Sequence, residues 1–244
     1  AAGRTVSPGQ NGIALAGADA ARLPADRAGG HTPFFRIVSV DLDAVAFFES
    51  YTPGADADAL LAVMAIVSPQ LLSAIGDQSL VPPGAWAVGR GAGWVMPTFT
   101  TRHHRPSRFT DGAFGVWYAA YSVEIAVAET LYHHAIRLRQ SGEPAQFVEL
   151  QLLSADIAGY AAEVWRLPKP LLTAIHDPSS YTVSQAVGTH LRNRGTQVII
   201  YRSVRHAPHG GCAAVLQPST VRNCTRVGDV RYRWDGTELA VVSR

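Results

Sequence analysis

The sequence predicts a single α+β domain with a split, mostly antiparallel β core flanked by helices. Strand-like segments outnumber helical ones, and the two kinds do not alternate in the regular order of a doubly wound parallel sheet. The chain has 244 residues, of which 47% are hydrophobic, which is enough apolar material for one substantial core. We expect residues 31–244 to form this domain. Residues 1–30 are rich in alanine and glycine and hold few large side chains, so we expect a flexible N-terminal arm there.

The predicted elements of the N-terminal part are a strand, a helical region and a long loop. Residues 34–40 are mostly aromatic or β-branched, which is typical of a strand. Residues 56–75 carry large apolar side chains at helical spacing and predict a helix, or a helix pair interrupted near Ser68 and Pro69. Residues 82–112 are rich in glycine and proline and predict a loop.

A strand and a helix are predicted in the middle of the chain. Residues 115–121 alternate as the residues of a strand do, with Tyr118 on one face. Ser122 has the side chain of an N-cap and predicts the start of a helix. That helix is expected to run to about Gln140, where Gly142 helps to stop it.

The C-terminal part is predicted to be mainly β structure around one helix. That helix spans residues 181–194 and is ended by Gly195. Four segments have the apolar or alternating pattern of strands: residues 146–153, 197–204, 212–217 and 231–242.

The composition argues against several classes of protein. A formal net charge of +2 is too small to indicate a nucleic-acid partner by itself, and no apolar run approaches the ~20 residues needed to span a bilayer. Cys212 and Cys224 have neither CxxC spacing nor a histidine placed to complete a zinc site, so we expect reduced thiols. The start of the sequence lacks the pattern of a secretory signal. We therefore expect, by default, a cytoplasmic protein that contacts neither a membrane nor nucleic acid directly.

Glu129 is the first candidate for chemistry. One stripe of the helix after Ser122 consists of residues four, three and four positions apart: Ile125, Glu129, Tyr132 and Ile136. A carboxylate in an apolar stripe faces the interior or a cleft, and burying it without a partner is costly. The pattern alone leaves open a buried salt bridge to an arginine, a glutamate at the edge of the stripe that reaches water, and a functional carboxylate.

Arg36 and a basic segment at residues 102–109 are candidates for binding an anion. Arg36 interrupts an otherwise apolar strand. Its side chain is either that of an edge residue pointing outward or a planar cation aimed into a pocket. The segment 102–109, which includes Arg108, is compatible with a solvated surface loop, a site for a nucleotide pyrophosphate, or a contact with nucleic acid.

Ser203 follows a strand of the buried type, and strand ends that lead into loops are common places for ligand contacts. No GxSxG pattern surrounds it, so a triad hydrolase has little support. The histidine pairs at 103–104 and 133–134 do not have the spacing of metal ligands, and we expect no metal. Glycine patterns typical of dinucleotide or P-loop folds are absent from the sequence.

Taken together, these segments resemble the RES domain, the toxin half of a bacterial toxin–antitoxin pair, named for an arginine, a glutamate and a serine. The resemblance covers roughly residues 34–218. The pieces that carry it are FRI at 35–37, SRF at 107–109, GVWYAA at 115–120, SVEIAVAET at 122–130, SQAVG at 184–188, IYRSVR at 200–205 and GGCAAV at 210–215.

The resemblance implies an ADP-ribosyltransferase-like fold that binds NAD as a substrate. It implies a type II toxin that cleaves NAD at the nicotinamide–ribose bond and depletes it by hydrolysis or phosphorolysis. The alternative is a mono-ADP-ribosyltransferase toxin that modifies a protein target, and a third hypothesis is a non-catalytic nucleotide-binding module. In the commonest ADP-ribosyltransferases the key glutamate lies on a strand, whereas Glu129 is predicted to lie on a helix.

The resemblance also implies roles for five residues. Arg36 and Arg108 would hold the pyrophosphate or the nicotinamide ribose, and Tyr118 would pack on the nicotinamide ring. Glu129 would bind ribose hydroxyls and stabilise positive charge at the anomeric carbon, and Ser203 would contact the nicotinamide end. Glu129, Arg36 and Tyr118 are thus the expected catalytic residues, and all five are expected to bind NAD. The family further implies a cognate antitoxin, usually a helix-turn-helix DNA-binding protein that plugs the cleft.

Overall fold

The computed structural model describes residues 21–22, 33–39, 42–50, 68–102, 104–206 and 210–243. Within these residues the strands are β1 (Ala21–Arg22), β2 (Phe34–Val38), β3 (Trp117–Ala120), β4 (Gln146–Ile157), β5 (Tyr160–Glu163), β6 (Val198–Arg202), β7 (Gly211–Val215), β8 (Val221–Trp234) and β9 (Leu239–Ser243). The helices are α1 (Leu42–Ser50), α2 (Pro69–Ile75), α3 (Pro97–Thr100), α4 (Val123–Ser141), α5 (Lys169–Ile175) and α6 (Thr182–Asn193).

The described strands form one sheet in the order β1-β5-β6-β7-β3-β2-β4-β8-β9. Every neighbouring pair is antiparallel except β5 and β6, which are parallel. The α+β class and the mostly antiparallel core flanked by helices are therefore confirmed. Strands β2, β3 and β7, which are distant in sequence, become neighbours near the middle of this sheet.

The sheet separates two clusters of buried residues. Trp117 on β3 belongs to one cluster, together with residues of α1, whereas Tyr118 packs against the other cluster, together with residues of α4. We call the two sides the Trp117 face and the Tyr118 face. The alternation predicted for residues 115–121 is thus confirmed, and it aims neighbouring side chains at opposite sides of the sheet.

Helix α4 begins and ends where the sequence predicts. The Ser122 hydroxyl accepts a hydrogen bond from the Ile125 amide at 3.4 Å, as an N-cap does. Gly142 ends the helix with φ 64°, in the left-handed region that glycine adopts without a steric penalty. These two ends fix the stretch of helix that presents Glu129.

Several described elements were not predicted from the sequence, among them the short strands β1 and β5, the four-residue helix α3, helices α1 and α5 and the N-terminal part of β8. Helices α1 and α5 have nine and seven residues, which is too short for a helical period to stand out. Strand β8 begins at Val221, ten residues before the predicted strand, because its exposed positions carry charged side chains that resemble a loop. Residues 51–67, which hold most of the predicted first half of the helix pair, lie outside the described residues, and α2 is its second half.

The predicted N-terminal arm also lies outside the described residues, except for residues 21–22, which pair with β5. Among the described helices, none combines the length and the apolar character that crossing a membrane requires.

Candidate active site

A cleft of about 290 Å³ lies on the Tyr118 face of the sheet, between α4 and the central strands. Four of the five predicted site residues line it, namely Arg36, Arg108, Tyr118 and Glu129. The other residues of its wall are Phe35, Ile37, Ser107, Ala119, Ala120, Ala126, Thr130, His133, His134, Tyr201 and Cys212. The cleft thus combines apolar walls with a few polar groups, which is typical of a small-molecule site.

Glu129 is held at one side of the cleft by two contacts. Its Oε1 atom accepts a hydrogen bond of 2.6 Å from the Ser203 hydroxyl, and its Oε2 atom lies 3.7 Å from Nε2 of His133. The Glu129 side chain keeps 23% of its surface exposed, so the carboxylate remains accessible from the cleft. The prediction that Glu129 lies on a helix and faces a cleft is confirmed.

The surroundings of Glu129 favour its charged form. Burial alone raises the pKa of this carboxyl, but the contacts from His133 and Ser203 and the nearby charge of Arg108 lower it by more. The pKa of Glu129 therefore lies below its ordinary value. At neutral pH the cleft holds a carboxylate that is ionised, partly buried and fixed in position.

Ser203 lies behind Glu129 and is fully buried. Its hydroxyl donates to Glu129 and accepts hydrogen bonds from the backbone amides of Arg205 and His206, at 3.0 and 3.2 Å. A hydroxyl has one hydrogen and two lone pairs, so these three bonds use its full capacity. In this arrangement Ser203 orients Glu129, and its contact with the nicotinamide end of NAD stays a prediction.

Replacing Ser203 with alanine is expected to raise the pKa of Glu129 and to destabilise the fold. The carboxylate loses a hydrogen bond that favours its charged form, and two backbone amides lose their acceptor. Leaving buried groups without partners costs about 1–3 kcal/mol. Titration of the Glu129 carboxyl by NMR and urea unfolding measure the two effects.

Ser141→Ala is the control for this change, because Ser141 is exposed at the far end of the same helix. It should leave both quantities unchanged. An unaltered Glu129 pKa in Ser203→Ala would show that the hydrogen bond does not set the charge state of the carboxyl.

Tyr118 presents its ring to the cleft while its hydroxyl is engaged elsewhere. The hydroxyl accepts a hydrogen bond from the Phe109 amide at 3.0 Å and lies 2.8 Å from the Ser107 hydroxyl. Burial raises the pKa of Tyr118 to about 12, with partial compensation from these hydrogen bonds. Because the phenol stays neutral and bonded, the ring is what Tyr118 offers to a ligand.

Arg108 is a buried cation at the wall of the cleft. Its Nη1 atom donates to the carbonyl oxygens of Ile175 and Asp177, at 2.8 and 3.2 Å, and its guanidinium lies 4.7 Å from the centroid of the Tyr181 ring. Its Nε and Nη2 atoms have no hydrogen-bond partner within the described residues. Arg108 is therefore fixed by neutral groups, and no carboxylate in the described part of the chain is bonded to it.

Arg36 lines the cleft from β2, but its guanidinium is engaged on the Trp117 face of the sheet. Its Nη1 atom donates to the Tyr118 carbonyl oxygen at 3.0 Å, its Nη2 atom lies 3.4 Å from the Thr98 hydroxyl, and its Cζ atom is 5.1 Å from the Trp117 ring centroid. Burial lowers the pKa of Arg36 to about 10, although the charges of Cys224 and Tyr118 partly oppose this. The structure thus separates the Arg36 guanidinium from Glu129, which lies on the Tyr118 face.

The basic segment at residues 102–109 divides into two parts. Arg102 forms a salt bridge of 2.8 Å with Asp77 and is largely exposed, as a solvated loop residue is. Ser107 and Arg108 reach the cleft instead. The surface-loop interpretation therefore holds for Arg102, whereas binding of a pyrophosphate near Arg108 stays a prediction; His103 lies outside the described residues.

Sequence reasoning did not assign His133, His134, Tyr201 and Cys212 to the site. His133 lies four residues after Glu129 and so shares its face of the helix, a signal that the sequence contains. Tyr201 and Cys212 reach the cleft from paired positions on β6 and β7, a register that no local pattern reveals. Within the described part of the chain, no group of three or more His, Cys, Asp or Glu side chains is arranged to hold a metal ion.

The sequence matches the RES domain family over residues 85–235, which is more than half of the chain. The chain belongs to the RES domain family. The matched part of this RES domain holds Arg108, Tyr118, Glu129 and Ser203, whereas Arg36 precedes it.

One solved structure that is similar to this RES domain is the Mycobacterium tuberculosis MbcT–MbcA toxin–antitoxin complex. The identity is 13% and the TM-score is 0.37, over 85% of this chain and 86% of the matched one. No curated protein sequence matches the chain.

Proposed function

We propose that this RES domain cleaves NAD at the bond between nicotinamide and its ribose, consuming NAD by hydrolysis or phosphorolysis. The observation that carries the proposal is the Glu129 carboxylate, ionised and fixed in the cleft by Ser203 and His133. When this bond breaks, positive charge develops on the ribose ring and its anomeric carbon. A fixed carboxylate beside that carbon stabilises the transition state more than the ground state.

The rest of the cleft suits the other parts of NAD. A volume of about 290 Å³ is small for a ligand site, so it accommodates nicotinamide and its ribose rather than the whole dinucleotide. The Tyr118 ring supplies an aromatic surface for nicotinamide, and Phe35 and Ile37 add apolar wall. Nε and Nη2 of Arg108 are donors suited to a phosphate oxygen.

Arg36 supports this site from the opposite face in our proposal. By holding the Tyr118 carbonyl oxygen, its guanidinium fixes the backbone that carries the aromatic ring. Direct contact between Arg36 and NAD would require its guanidinium to leave Thr98 and Trp117.

Cleavage of NAD also explains a role as a toxin, because a cell that loses its NAD stops growing. Membership of the RES domain family supports this role. The proposal includes a cognate antitoxin that covers the cleft, as in a toxin–antitoxin pair. Expression of the chain from an inducible promoter should lower cellular NAD and arrest growth.

Incubation of the purified chain with NAD tests the proposed reaction. We expect free nicotinamide to accumulate, with one equivalent of ADP-ribose in water or of its 1″-phosphate when phosphate is the acceptor. Chromatography with mass detection identifies both products. The unfolded chain is the control.

The same assay distinguishes cleavage of NAD by water or phosphate from mono-ADP-ribosylation of a protein target. With labelled NAD and a cell lysate, transfer to a protein target would place the label on a discrete band, and free ADP-ribose would not account for the nicotinamide released. Absence of nicotinamide release, with and without phosphate, would reject NAD cleavage altogether.

A further inference from the structure

Hydrolysis of the nicotinamide–ribose bond requires a base more than it requires an acid. When the carbon–nitrogen bond breaks, its electron pair moves to the ring nitrogen and converts the pyridinium cation into neutral nicotinamide, so the leaving group needs no proton. The attacking water forms the new carbon–oxygen bond and must lose a proton. A side chain in the cleft that accepts this proton would speed the step.

Two prominent groups of the cleft are poor proton acceptors. The surroundings of Glu129 hold the pKa of its carboxyl below the ordinary value, and its Oε1 atom already accepts a hydrogen bond from Ser203. Tyr118 has a pKa of about 12 because it is buried, so its phenol stays protonated at neutral pH. Neither group both gains and releases a proton near neutrality.

Three other titratable groups of the cleft are also unsuited to this step. Burial raises the pKa of the Tyr201 phenol and of the Cys212 thiol, and both stay protonated. Burial and the nearby charge of Arg137 lower the pKa of His134 to about 4, and its Nδ1 atom lies 2.9 Å from Nη2 of Arg137. His134 is therefore a weak base whose nitrogen is engaged.

His133 differs from all of these in geometry. It lines the cleft one helical turn after Glu129, and its side chain is 54% exposed, so water reaches it. Its Nε2 atom lies 3.7 Å from Oε2 of Glu129, and its ring packs edge-on against Tyr132 at 5.2 Å. A carboxylate beside an imidazole orients the ring and stabilises the imidazolium that forms when it takes up a proton.

We infer that His133 is the catalytic base of this site, an inference that rests on the function proposed above. As the water oxygen bonds to the anomeric carbon, its proton moves to a ring nitrogen of His133, and the electron pair of the broken O–H bond stays on oxygen. The imidazolium is stabilised by Glu129 and returns its proton to solvent after nicotinamide leaves. The Glu129 carboxylate thus stabilises both the positive charge that develops on the ribose and the charge of the imidazolium.

The inference fixes the sign of the pH dependence. An imidazole acts as a base only in its unprotonated form, so the turnover rate should rise with pH along the acid limb of the profile. The charged and titratable groups around it are Glu129, Tyr132, His134 and Arg137 on its own helix, Arg108, Tyr118, Tyr201 and Cys212 on the elements that face the helix, and Arg205 over the Tyr132 ring.

The test is nicotinamide release in phosphate-free buffer, measured from about pH 5 to 9 to span the titration of imidazole. In His133→Gln we expect kcat to fall about 100-fold, KM to change little, and the acid limb of the pH profile to disappear. In His133→Gly, added imidazole should restore part of the rate, because the free base replaces the missing side chain. A purely structural role of His133 would not produce this rescue.

His190→Gln is the matched control, since His190 lies on α6 and outside the cleft wall. It should keep the rate and the acid limb of the unaltered chain.

The inference is overturned if the unaltered chain releases nicotinamide and His133→Gln retains its rate and acid limb, or if imidazole restores nothing in His133→Gly. A chain that releases no nicotinamide under any condition rejects the proposed function itself.

Discussion

Replacing Glu129 with glutamine is expected to lower kcat for nicotinamide release by about 100–1000-fold, the size of the loss when one fixed electrostatic contact to a transition state is removed. Glutamine keeps the shape of the side chain and can still accept a hydrogen bond from Ser203, so only the negative charge is lost. Since that charge acts on the cation that develops at the ribose, KM should change much less than kcat. Steady-state kinetics with NAD measure both.

Glu149→Gln is the matched control. Glu149 is an exposed glutamate on β4 that pairs with Arg231 on β8, and it lies outside the cleft wall. It should retain full activity. Circular dichroism should show that both variants fold. Equal activity of Glu129→Gln and the unaltered chain would mean that the carboxylate has no part in the chemistry.

Replacing Gly188 with alanine is expected to destabilise the fold next to the site. A Cβ atom at Gly188 on α6 would lie 2.0 Å from the Phe109 carbonyl oxygen and 2.9 Å from the Phe109 Cβ atom. The helix or the chain at Phe109 must therefore move, and such overpacking costs about 1–3 kcal/mol. Because Arg108 precedes Phe109, the displacement should also weaken NAD binding and raise KM.

Gly228→Ala is a control of the same chemical size, since a Cβ atom at Gly228 on β8 would meet nothing within 4 Å. Urea unfolding compares the two variants. If Gly188→Ala were as stable as Gly228→Ala, the close packing of α6 on Phe109 would not describe the folded chain.

Local patterns were sufficient to predict several parts of this fold. The N-cap at Ser122 and the left-handed Gly142 mark the limits of α4, because both effects depend on residues close in sequence. The stripe through Glu129 predicted which face of that helix meets the cleft. The alternation along β3 likewise predicted that Tyr118 and Trp117 face opposite sides of the sheet.

Other features of the fold and the site depend on contacts between residues distant in sequence, so no local sequence pattern predicts them. Arg36 was predicted to be a cation aimed into the pocket or at solvent, but its guanidinium contacts the Tyr118 carbonyl oxygen and Thr98 on the Trp117 face. The pairing of Ser203 with Glu129 joins residues 74 positions apart, and only the resemblance to the RES domain brought both into one site. The sequence also concealed β8, whose exposed arginines break the apolar pattern.

A crystal structure of the Glu129→Gln variant with NAD tests the central claim most directly, because the intact substrate should persist when cleavage is slow. We expect the nicotinamide ribose in the cleft, with its anomeric carbon beside the side chain of residue 129, the nicotinamide ring on Tyr118 and a phosphate within hydrogen-bond distance of Arg108. NAD bound elsewhere, with residue 129 facing an empty cleft, would contradict the account.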